Sequence, residues 1–281
     1  MQTVDFFTPI VDEPEIQGQI AACNVTNDLY AKGAMELLGV LVIMGFPPET
    51  PNKVAVSLLK GFSNFVQKLG TQVVGGHTIN NPWPILGGAA TAIMKILDVV
   101  YKKGAKAGDN LVLTKPLGVQ PVMAAYRILD DTTLNRELTS SVSRNVIKEA
   151  IRKTISLMTT SNKPVAEVIN KIKVNAATDI TGFGLVGHAS EVAEQSGLDL
   201  EITDIPVVKG SLEISDALGY SLREGTAHET AGGMLLSVAS ESTEMLLAAL
   251  RRRRVTPYVV GKARAGKGRV RLSRDLRYIE I

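Results

Sequence analysis

The sequence predicts a protein of mixed helices and strands, α/β or α+β, built in two halves. Helical and strand-like segments alternate along its 281 residues. A stretch rich in Lys, Gly and Ala, from Lys102 to Asp109, breaks that alternation and marks the linker. The 45% hydrophobic content is enough for a real core, and neither a fixed-period repeat nor a low-complexity tract suggests a solenoid or a fibre.

Each element has its own signal. Met1 to Phe7 reads as the end of a strand. Gln17 to Lys32 reads as a helix, with Ile20, Ala21, Val25 and Leu29 near one face and Gly33 as its stop. Leu37 to Phe46 is a continuous apolar run closed by Pro47-Pro48, which predicts a buried strand. Val54 to Leu69 is amphipathic, with Val54, Leu58, Phe62 and Phe65 inward and Gly70 ending it. Val73-Val74 enters a turn at Gly75-Gly76, and Ile85 to Met94 is a further strand. Beyond the linker come a strand at Asn110 to Thr114 and helices near Val119 to Leu129 and Ser140 to Met158. Further strands are expected at Leu198 to Thr203, Gly233 to Ala239 and Val255 to Gly261. The working division is residues 1–106 and 107–281.

The bulk chemistry excludes several function classes. A net charge of +3 is too small for a dedicated nucleic-acid binder. Arg251 to Arg254 ends an amphipathic helix containing Met245, Leu246 and Leu250, where cations suit the helix C-terminus and solvent. One cysteine, Cys23, permits no internal disulfide and fits a reducing cytoplasm. The start, Met1-Gln2-Thr3-Val4-Asp5, lacks the pattern of a secretory signal. The most apolar stretch is about half the ~20 residues that span a bilayer, so no membrane role is expected.

Three aspartates stand in unusual settings. Asp5 interrupts an apolar strand end, Asp28 lies late in a helix where the macrodipole disfavours it, and Asp179 precedes the turn Ile180-Thr181-Gly182-Phe183-Gly184. Carboxylates from distant parts of a chain suit Mg²⁺, which takes hard oxygen ligands and leaves positions for water and phosphate. Taken singly, Asp179 reads more readily as a helix N-cap, and Asp28 as a solvated helix residue. Gly75-Gly76-His77-Thr78 reads as a glycine turn whose backbone N–H groups would form an anion nest, or as an ordinary turn. No Walker motif is present, and Gly182-x-Gly184 lacks a dinucleotide fingerprint. Cys23 reads as a small buried residue on the inward helix face. His188 reads as a packing residue, and His228 as structural or functional.

Together these segments resemble the selenophosphate synthetase (selenide, water dikinase) family. Thr3 to Asp12 is similar to its TTDFFxPIVD segment, and Ile20 to Gly33 to its IAAxNxxSDxYAMG helix. Gly75 to Thr78 with Asn81-Pro82-Trp83-Pro84 and Gly87-Gly88 follows the family pattern. So do Leu113 to Gly118, the Ala177 to Gly187 block, and Glu229-Thr230-Ala231-Gly232-Gly233, which stands in place of QTSGG. Aminoimidazole ribotide synthetase and thiamine-monophosphate kinase share the fold without this motif set. The related hydrogenase-maturation dehydratase carries a C-terminal cysteine, whereas this chain reads Tyr278-Ile279-Glu280-Ile281.

The resemblance implies an α+β, two-domain AIR-synthetase-like (PurM-like) fold. Its N-terminal ATP-binding domain, residues 1–106, would pair with that of a second subunit into a dimeric β-barrel. Residues 107–281 would form a C-terminal α/β domain. The resemblance implies a cytoplasmic homodimer that converts ATP, selenide or a related small nucleophile, and water to selenophosphate, AMP and phosphate. Asp28 and Asp179 are implied as Mg²⁺ ligands. Asp5, Asp28, Gly75, Gly76, His77 and Thr78 are implied in nucleotide binding, the glycine segment across the dimer interface. The family also carries a glycine-rich segment ahead of the Thr3 strand. That segment bears a reactive cysteine or selenocysteine, a lysine and another aspartate, and contributes a neighbouring strand. With Met1 close before Thr3, it is expected to be missing, so no catalytic residue is assigned. A non-catalytic nucleotide-binding or regulatory dimer is the alternative expectation.

Overall fold

The computed structural model describes residues 1–281 as two compact units. The first comprises Met1–Val99 together with Met158–Glu167, and the second comprises Val100–Leu157 with Val168–Ile281.

In the first unit, β1 (Gln2–Phe7), α1 (Pro14–Ala31), β2 (Glu36–Phe46), α2 (Asn52–Lys68), β3 (Val73–Asn80) and β4 (Ile85–Ile93) follow in order. The strands form one sheet in the order β1-β4-β2-β3. β4 is antiparallel to both neighbours, and β2 runs parallel to β3. Helix α1 starts with Pro14 in its first turn, where the missing N–H costs nothing. It stops at Gly33, whose φ of 81° suits a residue without Cβ. It packs on β1 and β4 and crosses α2 at very short range. A Cβ on Gly18 would lie 2.1 Å from Leu58 O, and one on Gly61 would lie 1.9 Å from Glu15 O. Glycine at both positions lets the helix backbones touch. Around that contact Ile20, Leu29, Phe62 and Val66 are sealed from solvent, each contributing ~1.5–3 kcal/mol by burial.

Two expectations change here. β2 is not buried on both sides, because Leu38 and Leu41 face outward on a sheet covered by helices on one side only. Gly75-Gly76 is no turn but part of β3, paired with Leu41 and Val42. The apparent turn signal has another cause: a Cβ on Gly76 would stand 2.2 Å from Val42 O, so glycine serves close strand approach.

The returning segment 158–167 is a feature that periodicity did not reveal. Asn162 Nδ2 donates to Asn27 Oδ1 at 3.0 Å, the Cys23 thiol donates to Thr160 O at 3.3 Å, and Lys163 Nζ donates to Leu69 O at 2.7 Å.

The second unit begins with β5 (Asn110–Leu113), α3 (Val119–Arg127), α4 (Thr132–Ser141) and α5 (Arg144–Met158); α6 (Lys163–Ile169) spans the return between units. Then come β6 (Ala176–Asp179), α7 (Gly184–Ser196), β7 (Leu198–Val207), α8 (Ser211–Leu218), β8 (Met234–Val238), α9 (Thr243–Arg252), β9 (Tyr258–Ala265) and β10 (Val270–Glu280). The sheet order is β10-β7-β9-β5-β8-β6, antiparallel except for the β10–β7 pair. One apolar cluster lies between this sheet and α7, built on Leu111, Leu185, Val192, Ile202 and Leu235. A second joins α3, α4, α5 and α8 through Val122, Leu138, Ile147 and Ile214. No helix is long and apolar enough to cross a membrane.

Candidate functional site

The alternation of β1 sets up the site in the first unit. Val4 and Phe6 point to the open face, so Thr3 and Asp5 point to the face covered by α1. On α1, Asn24 and Asp28 stand four residues apart and therefore one above the other. The two elements meet through side chains: Asn24 Nδ2 donates to Asp5 Oδ2, and the Thr3 hydroxyl donates to Asp28 Oδ2 at 2.6 Å. Burial pushes the Asp5 carboxyl up. The Asn24 amide offsets part of that, and the Asp28 charge pushes it further up. Asp28 itself is exposed at the surface.

Two carboxylates held this close repel each other, and a cation between them relieves the repulsion. Mg²⁺ commonly takes one or two protein carboxylates and completes its shell with water and phosphate oxygens. The donor set therefore fits that ion. No group of three or more His, Cys, Asp or Glu side chains gathers into a self-sufficient metal cage.

The glycine strand does not join this cluster within one chain. Asp5 pairs with Gly88, Gly88 with Val42, and Val42 with Gly76, so Asp5 and Gly76 share a row on opposite edges of the sheet. Three strand spacings separate them, roughly 14 Å. Gly76 and Thr78 face the helix side, and Gly75 and His77 the open side. All four are exposed.

In the second unit, Asp179 is the last residue of β6, paired with Met234 and buried. It is not the N-cap of α7, a position held by Phe183. The following turn is gripped by a network that sequence reading reduced to packing. His188 Nε2 lies 3.1 Å from Thr181 Oγ1, and His188 Nδ1 lies 3.1 Å from Glu191 Oε2. Lys102 Nζ donates to the same Glu191 oxygen at 2.6 Å. Burial opposes charge on Glu191, but Lys102 and then His188 hold its carboxyl below the usual range. The spacing His188-x-x-Glu191, one helical turn, was the available signal.

Two other groups were missed. Lys115 is buried, with Nζ donating to Ala231 O at 2.7 Å and Leu157 O at 3.0 Å. Glu229 is buried at the start of α3, where Oε1 accepts from Gly118 N at 2.8 Å and Val119 N at 3.3 Å. Burial pushes its carboxyl up to about 8, against the two backbone donors and the Lys115 charge. Cys23 is fully buried, as expected of a small core residue. His228 is exposed, and its backbone N–H donates to Gln120 Oε1.

Two family models together match most of the chain. Residues 1–94 match the family described as AIR synthase related protein, N-terminal domain, and residues 106–273 match AIR synthase related protein, C-terminal domain. The chain is 43% identical over 289 aligned positions to a selenide, water dikinase of Methanococcus maripaludis, covering 100% of this chain and 85% of that protein. It is 43% identical to the protein of the same name from Methanocaldococcus jannaschii, covering 81% of its length. Among solved structures it resembles thiamine-monophosphate kinase from Stenotrophomonas maltophilia, with a TM-score of 0.77, 16% identity, and coverage of 97% of this chain and 84% of that one. It also resembles hydrogenase maturation protein HypE in complex with ATP, with a TM-score of 0.75, 15% identity, and coverage of 97% and 81%. The two domain matches establish the AIR-synthetase-like fold, with which these structures agree, and the sequence likeness establishes the family: the chain belongs to the selenide, water dikinases.

Proposed function

We propose that this chain acts in selenide, water dikinase chemistry, taking ATP, selenide and water to selenophosphate, AMP and orthophosphate. The observation that carries the reading is the Asp5–Asn24 and Thr3–Asp28 cluster, set on the segments that match the family motifs. Asp28, oriented by the Thr3 hydroxyl, would hold Mg²⁺. Asp5, fixed by Asn24, would stand beside it and keep its charge more easily once a cation is near. Asp179, on the TDITGFG-like motif, would serve as a Mg²⁺ ligand. Magnesium, when bound, draws charge from the polyphosphate and fixes it for attack.

Gly75 to Thr78 is assigned to nucleotide phosphate contact from a second copy of the chain. The separation of Asp5 and Gly76 within one chain supports this, as does the open apolar sheet face bearing Val4, Phe6, Leu41 and Ile79. Residues 1–106 would then bind nucleotide and pair into the dimer, with 107–281 as the second domain of a cytoplasmic protein.

A nucleotide-binding homologue without turnover is the second reading. It is compatible with the complete burial of Cys23, which keeps that sulfur from substrates. Anaerobic incubation of the full chain with Mg–ATP and selenide, followed by ³¹P NMR, separates the two. Selenophosphate and AMP in equal amounts support the enzyme. Mg–ATP binding by calorimetry without AMP supports the homologue, and neither result sinks both.

A further inference from the structure

The side chains behind the turn after Asp179 form a chain anchored at both ends. Lys102 Nζ donates to Glu191 Oε2 at 2.6 Å, and the same oxygen lies 3.1 Å from His188 Nδ1. His188 Nε2 lies 3.1 Å from Oγ1 of Thr181, two residues beyond Asp179. Lys102 sits on a segment docked within the second unit. There Ala177 N donates to Tyr101 O at 3.0 Å, and Gly104 N and Ala105 N donate to Ser196 Oγ at 3.1 and 3.2 Å. At the other end the turn is pinned through its backbone, with Ile180 N donating to Gly233 O at 2.8 Å and Glu229 N to Thr181 O at 3.0 Å. His188 holds the Thr181 side chain.

The pairing of donors with acceptors fixes where the hydrogens lie. Glu191 is a carboxylate: burial opposes its charge, but Lys102 and then His188 hold it below the usual range. A carboxylate only accepts, so His188 Nδ1 carries a hydrogen. The Glu191 charge is already shared with Lys102, and the His188 side chain is 7% exposed, so burial favours the neutral ring. Nε2 is then bare and only accepts, which turns the Thr181 hydroxyl hydrogen toward it. Each member dictates the next from Lys102 to Thr181, and the hydroxyl is held in one orientation.

We propose that Lys102, Glu191 and His188 are positioning residues for Mg²⁺ binding, acting through the Thr181 hydroxyl to hold the turn that follows Asp179. The proposal rests on the reading of Asp179 as a Mg²⁺ ligand. The gain is preorganisation: a turn that is already fixed loses less conformational entropy when the ion binds. Groups that orient a ligand without touching the ion commonly alter metal affinity by about tenfold or more when removed.

The test has two arms, both on the full chain. In the metal-free protein, long-range ¹H–¹⁵N correlation reads the His188 ring, whose signals are assigned by their loss in His188→Gln. A hydrogen on Nδ1 and a bare Nε2 are expected. The reverse tautomer, or an imidazolium at neutral pH, would overturn the proposal. In the second arm, calorimetry measures the Mg²⁺ concentration that half-saturates ATP binding. Thr181→Val keeps the shape, loses the hydroxyl and should raise that concentration about tenfold, whereas Thr181→Ser should restore it. Glu191→Ala should raise it by a similar factor, and the double variant by no more than either single one, because both cut the same chain. Additive losses would mean separate structural effects and would overturn the proposal. So would an unchanged Mg²⁺ requirement in Thr181→Val, whether or not Glu191→Ala folds. Asp179→Ala separates this proposal from the reading beneath it. If Asp179→Ala loses Mg²⁺-dependent binding and Thr181→Val does not, only the positioning role falls. If Asp179→Ala binds as before, or the unaltered chain shows no Mg²⁺-dependent binding, the Asp179 reading falls and the proposal with it.

Discussion

Asp5 and Gly76 share one row of the four-stranded sheet, yet they sit on its two edge strands. A polyphosphate held by the Asp5–Asp28 pair is therefore far from the glycine strand of the same chain. Two chains packed through their open sheet faces remove that difficulty. Leu41→Asp places a charge on this face without touching the helix side. It should convert dimer to monomer in sedimentation and weaken Mg–ATP binding by about tenfold or more. A monomeric variant with unchanged affinity would show that the glycine strand is not shared.

Asp28→Ala should abolish Mg²⁺-dependent nucleotide binding in calorimetry while leaving the melting temperature nearly unchanged, because the carboxylate is exposed. Asp179→Ala should have the same effect on binding. Thr3→Val removes only the hydroxyl that orients Asp28. Its expected loss is smaller, about 1 kcal/mol, or roughly fivefold in affinity. Equal affinity for Mg–ATP in the unaltered chain and both aspartate variants would remove these carboxylates from the site.

Glu229 makes stability depend on pH with a definite sign. A carboxyl that holds its proton more tightly in the folded state stabilises fully below its ordinary value of 4.5, and that stability drains as pH rises to about 8. The loss across the window is of the order of a few kcal/mol. Gln in its place still accepts from Gly118 N and Val119 N and carries no charge. Glu229→Gln should flatten urea-unfolding stability between these limits, with its largest gain near the upper one. An unchanged pH slope in the variant would show that Glu229 is not its source.

The touching helices predict the cost of a single methyl group. Gly61→Ala places a Cβ 1.9 Å from the Glu15 carbonyl oxygen, which is backbone and cannot swing aside. Destabilisation of about 3 kcal/mol or more is expected in denaturant unfolding, with Gly18→Ala comparable. A loss under about 1 kcal/mol would mean that α1 and α2 separate easily.

Cys23 should resist a thiol reagent in the native protein and react at once in denaturant. Fast native labelling would mean that α1 opens away from the returning segment.

Much of the first unit was legible because its signals are local. Gly33 and Gly70 mark helix ends, and α2 carries a clear apolar face, whereas α1 is buried nearly all round. What failed there depended on partners. Gly75-Gly76 reads as a turn until β2 is seen lying against it, and the Thr3 hydroxyl that meets the solvent-exposed Asp28 comes from a separate segment. In the second unit, Val270 to Glu280 alternates apolar and charged residues so heavily laden with arginine that its strand was overlooked. Helix α4 has a negative mean hydropathy and buries only Leu138, which left little pattern to detect. The Lys102–Glu191–His188–Thr181 chain depends on residues far apart in sequence, so only its His188–Glu191 step could be read in advance.

The return of residues 158–167 to the first unit has a consequence for how the protein is made. Asn27 and Cys23 are completely buried, and their partners Asn162 and Thr160 come from that segment. A ribosome that has finished Val99 has not yet made the residues that close this unit. At roughly 5–20 residues per second, several seconds pass before they are made. During that interval the nascent first unit is open along one side of α1. It is the stage of synthesis at which a holding chaperone would matter most.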